Sequence, residues 1–444
     1  GGDHAPRRRA IAGARRRGGG GDHAPRRRAI AGARRRMSAI DSRGCAAERS
    51  PDRADAAHSG SCPVHQPPQP SARWIWQRPH WPDLAGDEAR LQAPLGLVAE
   101  RHRALLARAA RHERDRAAEA DTLTWSLAAS YAIEGEELDI DAVRSSIARQ
   151  LGVDAPPHKR ETQRHATLAA LVIEATAANP APITEQLLLS WHRRLLDDTD
   201  TSNPGVVPGT YRVGSDPMQV ISGGRVGGRT TVWFEAPPAS AVPREMQLLV
   251  DWLDASRDGG LVNPWHRASI AHLWLLTIHP FGDGNGRVSR LLTDRMLSEH
   301  DPDHALRYSL SSWMLEHRKE YYDRLTAAQD ERAQVTEWHE FFLRTLSDSI
   351  EAAINRWRRD ECRAAVRASP GFATLKPEQK KLLERLLSHR SDNFAGGIAA
   401  GQYASFARVD KATATRHLTE LTDRGLVDRS GNGRAVRYTI VLPD

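Results

Sequence analysis

The sequence predicts a mainly α fold: a helical bundle interrupted by one β-hairpin, then a small unit of helices ending in a two-stranded ribbon. Three observations carry that expectation. Apolar residues recur at three- and four-residue spacing over most of 87–358. One segment, 205–238, is instead rich in Gly, Pro and β-branched residues. Beyond Ala368-Ser-Pro-Gly-Phe372, short helical stretches give way to two short apolar runs.

The first 36 residues are a different kind of sequence. Residues 1–17 recur letter for letter at 20–36, and this stretch carries twelve Arg against two Asp. The whole 444-residue chain nets +7, so 37–444 nets −3. The basic balance therefore says little about the partners of the larger part. The repeat reads as a tandem DNA repeat translated from an upstream start, with Met37 the initiator; the functional alternative is a basic arm for nucleic acid. Both readings predict disorder, because almost nothing apolar is available to bury. Residues 37–72, rich in Ala, Arg, Ser and Pro, are expected to be a disordered linker.

Targeting and redox signals are sparse. The N-terminus has no apolar core, and no run approaches the roughly 18 apolar residues of a membrane helix. Cys45, Cys62 and Cys362 are too few and too scattered for a disulfide framework. Cys62 and His65 have metal-like spacing, but no second pair answers them. A cytoplasmic location with no membrane partner is expected.

Ordered structure should begin at Trp74-Ile-Trp-Gln-Arg-Pro-His-Trp81, an extended arm packed on helices. From 87 to 179 the pattern is helical; Val143, Ile147 and Leu151 share a face that stops at Gly152. A helix follows at 184–196. The runs Met218-Gln-Val-Ile-Ser222 and Thr230-Thr-Val-Trp-Phe234, separated by Gly-Gly-Arg-Val-Gly-Gly, read as a hairpin. Helical pattern returns at 242–255 and again at Asn263-Pro264, an N-cap and first-turn pair, running to about Arg358. The C-terminal unit reads as helices at 377–388, 403–409 and 411–424 with strands at 425–429 and 435–440, a winged helix-turn-helix. The expected domains are a basic repeat (1–36), a linker (37–72), an N-terminal helical region (73–180), a catalytic core (181–360) and the winged unit (370–444).

The chemistry concentrates in His279-Pro-Phe-Gly-Asp-Gly-Asn-Gly-Arg-Val-Ser-Arg290. A buried helix over 270–278 should deliver His279 at its end, and Pro280 should force a sharp exit. Gly282, Gly284 and Gly286 allow a tight turn and close approach of backbone to a ligand. A second helix opening near Gly286 would present free N–H groups to phosphate. Arg287, Arg290 and Asp294 fall at i, i+3 and i+7 on one face, and paired guanidinium groups suit a di- or triphosphate. Asp283 supplies a hard oxygen for Mg2+, and His279 can accept a proton from a hydroxyl.

This run resembles the Fic motif, His-x-Phe-x-Asp/Glu-Gly-Asn-Gly-Arg-x-x-Arg, at every specified position. The resemblance implies a Fic-type helical bundle that transfers AMP from ATP to a Ser, Thr or Tyr hydroxyl of a target protein. His279 would be the general base, Phe281 the loop anchor and Asp283 the Mg2+ ligand. Gly284, Asn285 and Gly286 would line the α- and β-phosphate site with Gly282 beside them. Arg287 would hold the phosphate chain and Arg290 the γ-phosphate. The hairpin, at Met218 and Val220, resembles the family's flap, which aligns a target segment as an added strand. Phosphocholine or UMP transfer stays open, since the motif does not read the base.

Upstream, Ser130-Tyr-Ala-Ile-Glu134-Gly135 resembles the family's inhibitory pattern. Ser130 and Glu134 lie one helical turn apart on one face. By resemblance Glu134 would pair with Arg290 and displace the γ-phosphate. The plainer reading is that Glu134 opens an acidic loop with Glu136, Glu137, Asp139 and Asp141. The resemblance extends over about 74–357, through Trp74-Ile-Trp and Tyr321-Tyr322 to Trp338.

In the C-terminal unit, Lys411 and Arg416 are the candidate DNA contacts on the recognition helix, with Thr413, Thr415 and His417 near them and Arg429, Arg434 and Arg437 by the wing. Dimerisation or target docking is the alternative use of this small fold. Two further functions compete with AMP transfer: removal of AMP by the same pocket, and a transcription regulator whose helical core senses nucleotide. The target protein, the releasing signal and the oligomeric state are not legible.

Overall fold

The structure, a computed structural model, describes residues 72–110, 115–177, 181–196, 206–221, 232–257, 262–301, 307–368, 370–387 and 397–441. The basic repeat, the linker up to residue 71, Cys45, Cys62, His65 and the hairpin tip at 222–231 lie outside the described residues.

Among the described residues, five α-helices come first: α1 (Glu88–Ala109), α2 (Arg116–Ile133), α3 (Ile140–Gln150), α4 (Gln163–Ala175) and α5 (Glu185–Leu195). Asp87, Asp115, Asp139 and Thr184 start four of them, each side chain accepting an otherwise unpaired first-turn N–H. Gly135 at φ 86° and Gly152 at φ 77° end α2 and α3 as left-handed stops. The hairpin strands β1 (Gln219–Ile221) and β2 (Val232–Glu235) pair antiparallel, Gln219 opposite Glu235 and Val220 opposite Phe234.

The centre of the bundle is α6 (Val242–Ala255), α7 (Pro264–Ile278) and α8 (Asn285–His300), closed by α9 (Leu310–Glu316), α10 (Arg318–Gln329) and α11 (Val335–Ala368). From Trp265 onward every residue of α7 is buried, so this helix has no solvent face. That is why its sequence lacks the amphipathic stripe of its neighbours. A polar thread runs through the middle: His272 bridges the Thr293 hydroxyl at 2.8 Å and the Tyr321 hydroxyl at 3.0 Å. One apolar core extends from Ile75 to Ile354.

The N-terminal arm bolts the hairpin to this body. Trp74 meets Phe234 edge-on at 5.6 Å and bridges Asp330 through its backbone, while Trp76 Nε1 donates to Glu235 O at 2.7 Å.

Sequence reading ended α11 near Arg358, yet it runs on to Ala368. The reason is packing: Cys362 and Val366 belong to a second core with Leu382, Leu386, Leu418 and Tyr438. That core holds α12 (Pro377–Leu386), α13 (Ala400–Ala407), α14 (Lys411–Asp423) and antiparallel strands β3 (Val427–Ser430) and β4 (Arg437–Ile440). The expected helix at 403–409 starts three residues earlier, at Ala400, and stops at Ala407 before Arg408, which is left-handed at φ 54°. Residue 388, expected in α12, is outside the described residues. Among the described residues no helix is long and apolar enough to cross a membrane.

Candidate active site

The site forms where α7 ends and α8 begins. His279 caps α7 in the left-handed region at φ 51°, ψ 58°, and its N–H donates to Leu275 O at 2.9 Å. A non-glycine residue there is strained, and Pro280 is the reason the chain cannot continue as a helix. His279 Nδ1 lies 3.2 Å from Leu276 O. A carbonyl only accepts, so Nδ1 carries the proton and the Nε2 lone pair is free. Burial pushes this imidazole down to about 4, against the Leu276 carbonyl, which raises it; the Arg212 cation lowers it further. It is therefore neutral at pH 7.

The loop is a closed brace. Phe281 is fully buried and stacks on the His192 ring at 3.9 Å. Asn285 ties the turn shut, accepting from Phe281 N at 3.0 Å and donating to Phe281 O at 2.9 Å. Gly284 takes φ 77°, which its lack of a Cβ permits. Asp283 Oδ1 accepts from Gly284 N at 2.6 Å, and its side chain stays 43% exposed.

Arg287 and Arg290 of α8 are buried at 2% exposure and held from the C-terminal end of α2. Arg290 Nε donates to Ser130 Oγ at 2.9 Å, and Nη2 donates to Ser130 O at 2.7 Å and Glu134 Oε1 at 2.8 Å. Arg287 Nη1 donates to Glu136 Oε2 at 2.9 Å, and its guanidinium sits 5.0 Å over the Tyr131 ring. Arg290 Nη1 and Arg287 Nε are buried without a protein acceptor. Burial would raise the Glu134 carboxyl, but Arg290, with help from Arg287 and His279, holds it below its ordinary range. A Cβ on Gly286 would overlap Glu134 Oε1, so that carboxylate lies against the first turn of α8. It thus takes up both the arginine and the helix N-terminus, the two features that attract an anion.

Residues 182–297 match the Fic/DOC family, and residues 74–153 match DUF4172, a domain of unknown function. The chain carries a Fic/DOC domain. A protein adenylyltransferase Fic of Culex quinquefasciatus is 29% identical over 232 residues, covering 51% of this chain and 40% of that protein. One of Drosophila willistoni is 31% identical over 169 residues, covering 38% and 30%. The chain therefore spans less than half the length of these relatives. A solved Fic family protein from Desulfovibrio desulfuricans G20 is 22% identical, covering 81% of this chain and 96% of that one at a TM-score of 0.43.

The structure brings together His279, Asp283, Arg287 and Arg290 of the 182–297 match with Ser130 and Glu134 of the 74–153 match, all selected from sequence. Gly282 packs against Val206, where a Cβ would come within 3.0 Å of Val206 Cγ2. Met218 O accepts from Ala236 N at 2.9 Å, and Val220 is 39% exposed on the hairpin. Asp294 is not part of the cluster; its charge acts on buried Tyr308. Lys411 and Arg416 are exposed on α14, in the second core's unit. His417, expected near them, is instead buried, its Nδ1 at 3.0 Å from the Tyr403 hydroxyl and its Nε2 at 3.3 Å from Lys376 Nζ. Its position i+3 from Ala414 puts it on the inward face. The Arg434 side chain lies outside what is described.

Three residues escaped sequence reading. Glu136 was counted with an acidic loop, yet it takes Arg287. His192 accepts from Gly209 N at 2.8 Å through Nδ1, so its Nε2–H donates to Asp283 O at 3.1 Å; the one visible signal was a His on the apolar face of 184–196. Arg212 donates to the carbonyls of His279, Ile278 and Pro237, and nothing in its own neighbourhood announced it.

Proposed function

We propose that the protein is a protein adenylyltransferase, moving AMP from ATP to a Ser, Thr or Tyr hydroxyl of a target protein, and that Glu134 holds it inactive. The observation that carries this is the convergence of a neutral His279, with Nε2 free, on a helix N-terminus flanked by two buried arginines. The relatives named above support the same reaction. In it, His279 Nε2 takes the hydroxyl proton, and the oxygen forms a bond to the α-phosphorus. The α–β bridging P–O bond breaks, and pyrophosphate leaves with the electron pair. Arg287 holds the phosphate chain and Arg290 the γ-phosphate; their unpartnered N–H groups fit added phosphate oxygens. Gly282, Gly284, Asn285 and Gly286 shape the backbone cradle, and the hairpin at Met218 and Val220 aligns the target strand.

Mg2+ is the implied cofactor, and the donor set fits it. Asp283 offers one part-exposed carboxylate that would hold the ion, whose other ligands would be phosphate oxygens and waters rather than a protein cage. Bound there, it would neutralise charge on the departing pyrophosphate.

The test is self-labelling with ATP carrying the label on its α-phosphate. Glu134→Gly should label more strongly than the parent, and adding His279→Ala should abolish it. Equal labelling by parent and Glu134→Gly would remove the brake; labelling by the His279→Ala form would remove the base. Release of AMP from pre-modified protein, without labelling, would favour the reverse reaction.

The C-terminal unit supports a winged helix-turn-helix with Lys411 and Arg416 available to phosphate. If it binds DNA, replacing either with Ala should weaken binding and reduce the salt slope by about 1. A salt-independent or absent interaction favours docking to protein instead.

A further inference from the structure

We propose that Arg212 is the positioning residue that fixes His279 for proton abstraction and couples it to the hairpin, an inference that rests on His279 being the base. The argument starts from the end of α7. A helix leaves its last carbonyls unpaired, and a buried helix end must satisfy them from elsewhere. After a left-handed cap, the next N–H usually folds back to bond the final turn. Here the next residue is Pro280, which has no N–H. The second bond of such a cap is therefore impossible, and the His279 N–H to Leu275 O bond is left to hold the turn alone from within the helix.

Arg212 fills that role from another segment. Its Nε donates to His279 O at 2.7 Å, and its Nη2 reaches Ile278 O at 3.3 Å. Its backbone N–H donates to Pro280 O at 2.9 Å. One residue thus engages three consecutive carbonyls, 278 to 280, across the kink. The same Nη2 donates to Pro237 O at 2.5 Å, two residues past the last residue of β2. The rigid fork of the guanidinium spans these acceptors at once, which the point charge of a lysine cannot. A cation also suits the negative end of the α7 dipole. Among the described residues no carboxylate pairs with Arg212, so its hydrogen bonds go to carbonyls.

The consequence is geometric. His279 sits in a strained backbone state that persists only if its surroundings hold it. The imidazole is aimed by that backbone, and a misplacement near 1 Å costs about 10²-fold in rate. Because Pro237 shares the guanidinium, a target strand seated on the hairpin is kept in register with the base that serves it.

The experiment compares Arg212→Lys and Arg212→Gln in full-length Glu134→Gly protein, with His279→Ala as control. Three quantities are read: the single-turnover self-labelling rate at saturating ATP, the ATP dissociation constant, and the melting temperature. The expected result is a labelling rate about 10- to 100-fold lower for Arg212→Lys, with ATP affinity within about twofold of the parent. Arg212→Gln, which retains one donor group, should be slower still. A parental rate in Arg212→Lys overturns the inference while leaving His279 as base intact. Parallel loss of rate, ATP affinity and melting temperature, or failure of both variants to fold, also overturns it, because the role is then structural. Labelling that survives His279→Ala overturns the reading of the base itself, whatever Arg212 does.

Discussion

Replacing Glu134 with Gly should make the free protein less stable and yet make ATP, but not ADP, bind more tightly. The parent spends one charge-assisted hydrogen bond on Arg290, a guanidinium 2% exposed, from a carboxylate whose side chain is 29% exposed. Cutting a fully buried pair costs about 3–5 kcal/mol. Because water reaches Glu134, the lower range for a hydrogen bond to a charged group, about 1.5–3 kcal/mol, applies. Glycine adds roughly 0.5–1 kcal/mol of backbone entropy at a residue with φ −81°, ψ −3°. The sum is about 3 kcal/mol, which lowers the melting temperature by roughly 9 °C at the 2–4 °C per kcal/mol of a large domain. A γ-phosphate that no longer has to displace the carboxylate gains the 1.5–3 kcal/mol, about 10- to 150-fold in dissociation constant. Calorimetric titration with ATP and with ADP, in a His279→Ala background that prevents turnover, reads this directly. Tightening of both nucleotides by the same factor, or of neither, would refute the assignment of Glu134 to the γ-phosphate position. A glycine variant that melts at the parental temperature would refute the energetic worth given to the pair.

Three other consequences can be measured. Glu136→Gln should tighten ADP modestly, by up to about fivefold, because its partner Arg287 is buried but Glu136 is 41% exposed and its pair is correspondingly screened; weaker ADP binding would instead make Glu136 a support for Arg287. Stability should fall with acid between about pH 6.5 and 4, read as a lower urea midpoint at pH 5 than at pH 7.5. Burial holds His192 and His279 down to about 4 and His272 and His339 to about 3, so below 6.5 the unfolded chain binds more protons than the native one. Each then contributes up to about 1.4 kcal/mol per pH unit, and an unchanged midpoint would show that these rings are hydrated. Phe281→Ala should cost about 3–5 kcal/mol as a buried aromatic truncation and should abolish labelling, since the ring stacked on His192 braces the loop; a stable, active variant would show the brace to be dispensable.

The parts of the fold that were legible in sequence are those fixed by local chemistry. Asn263-Pro264 marks the start of α7 because a side-chain acceptor and a missing N–H both suit a first turn. Gly152 and Gly135 mark stops because only glycine enters the left-handed region without strain. The helical repeat puts Ser130 and Glu134 on one face, and a motif singles out Arg290, so their meeting needs only that the two helices pack. What escaped was decided between segments. Cys362 and Val366 extend α11 because a second core lies beside them, which no local pattern past Arg358 reveals. His417 was grouped with exposed neighbours, while the inward turn of α14 buries it against Tyr403. Arg212 bonds carbonyls 66 and 67 residues away, and carbonyls carry no sequence signature.

The geometry of the proposed brake also constrains how it would open. Glu134 and Glu136 reach the two arginines from a segment of three residues, so both grips depend on where α2 ends. The helix behind that end is firmly seated: Tyr131 and Ile133 are fully buried, and the Tyr131 hydroxyl donates to Leu195 O at 3.1 Å. Withdrawing α2 as a body would expose those side chains, at about 1.5–3 kcal/mol for each large apolar group. Unwinding the turn after Ile133 costs far less, because Gly135 already departs from helical geometry and Glu134 and Glu136 are part-exposed. Tyr322 touches this turn, its hydroxyl donating to Ile133 O at 3.3 Å from α10. Under the proposed function, local remodelling of 134–138 would thus be the low-energy route by which phosphate replaces carboxylate at both arginines while the bundle that presents His279 stays fixed.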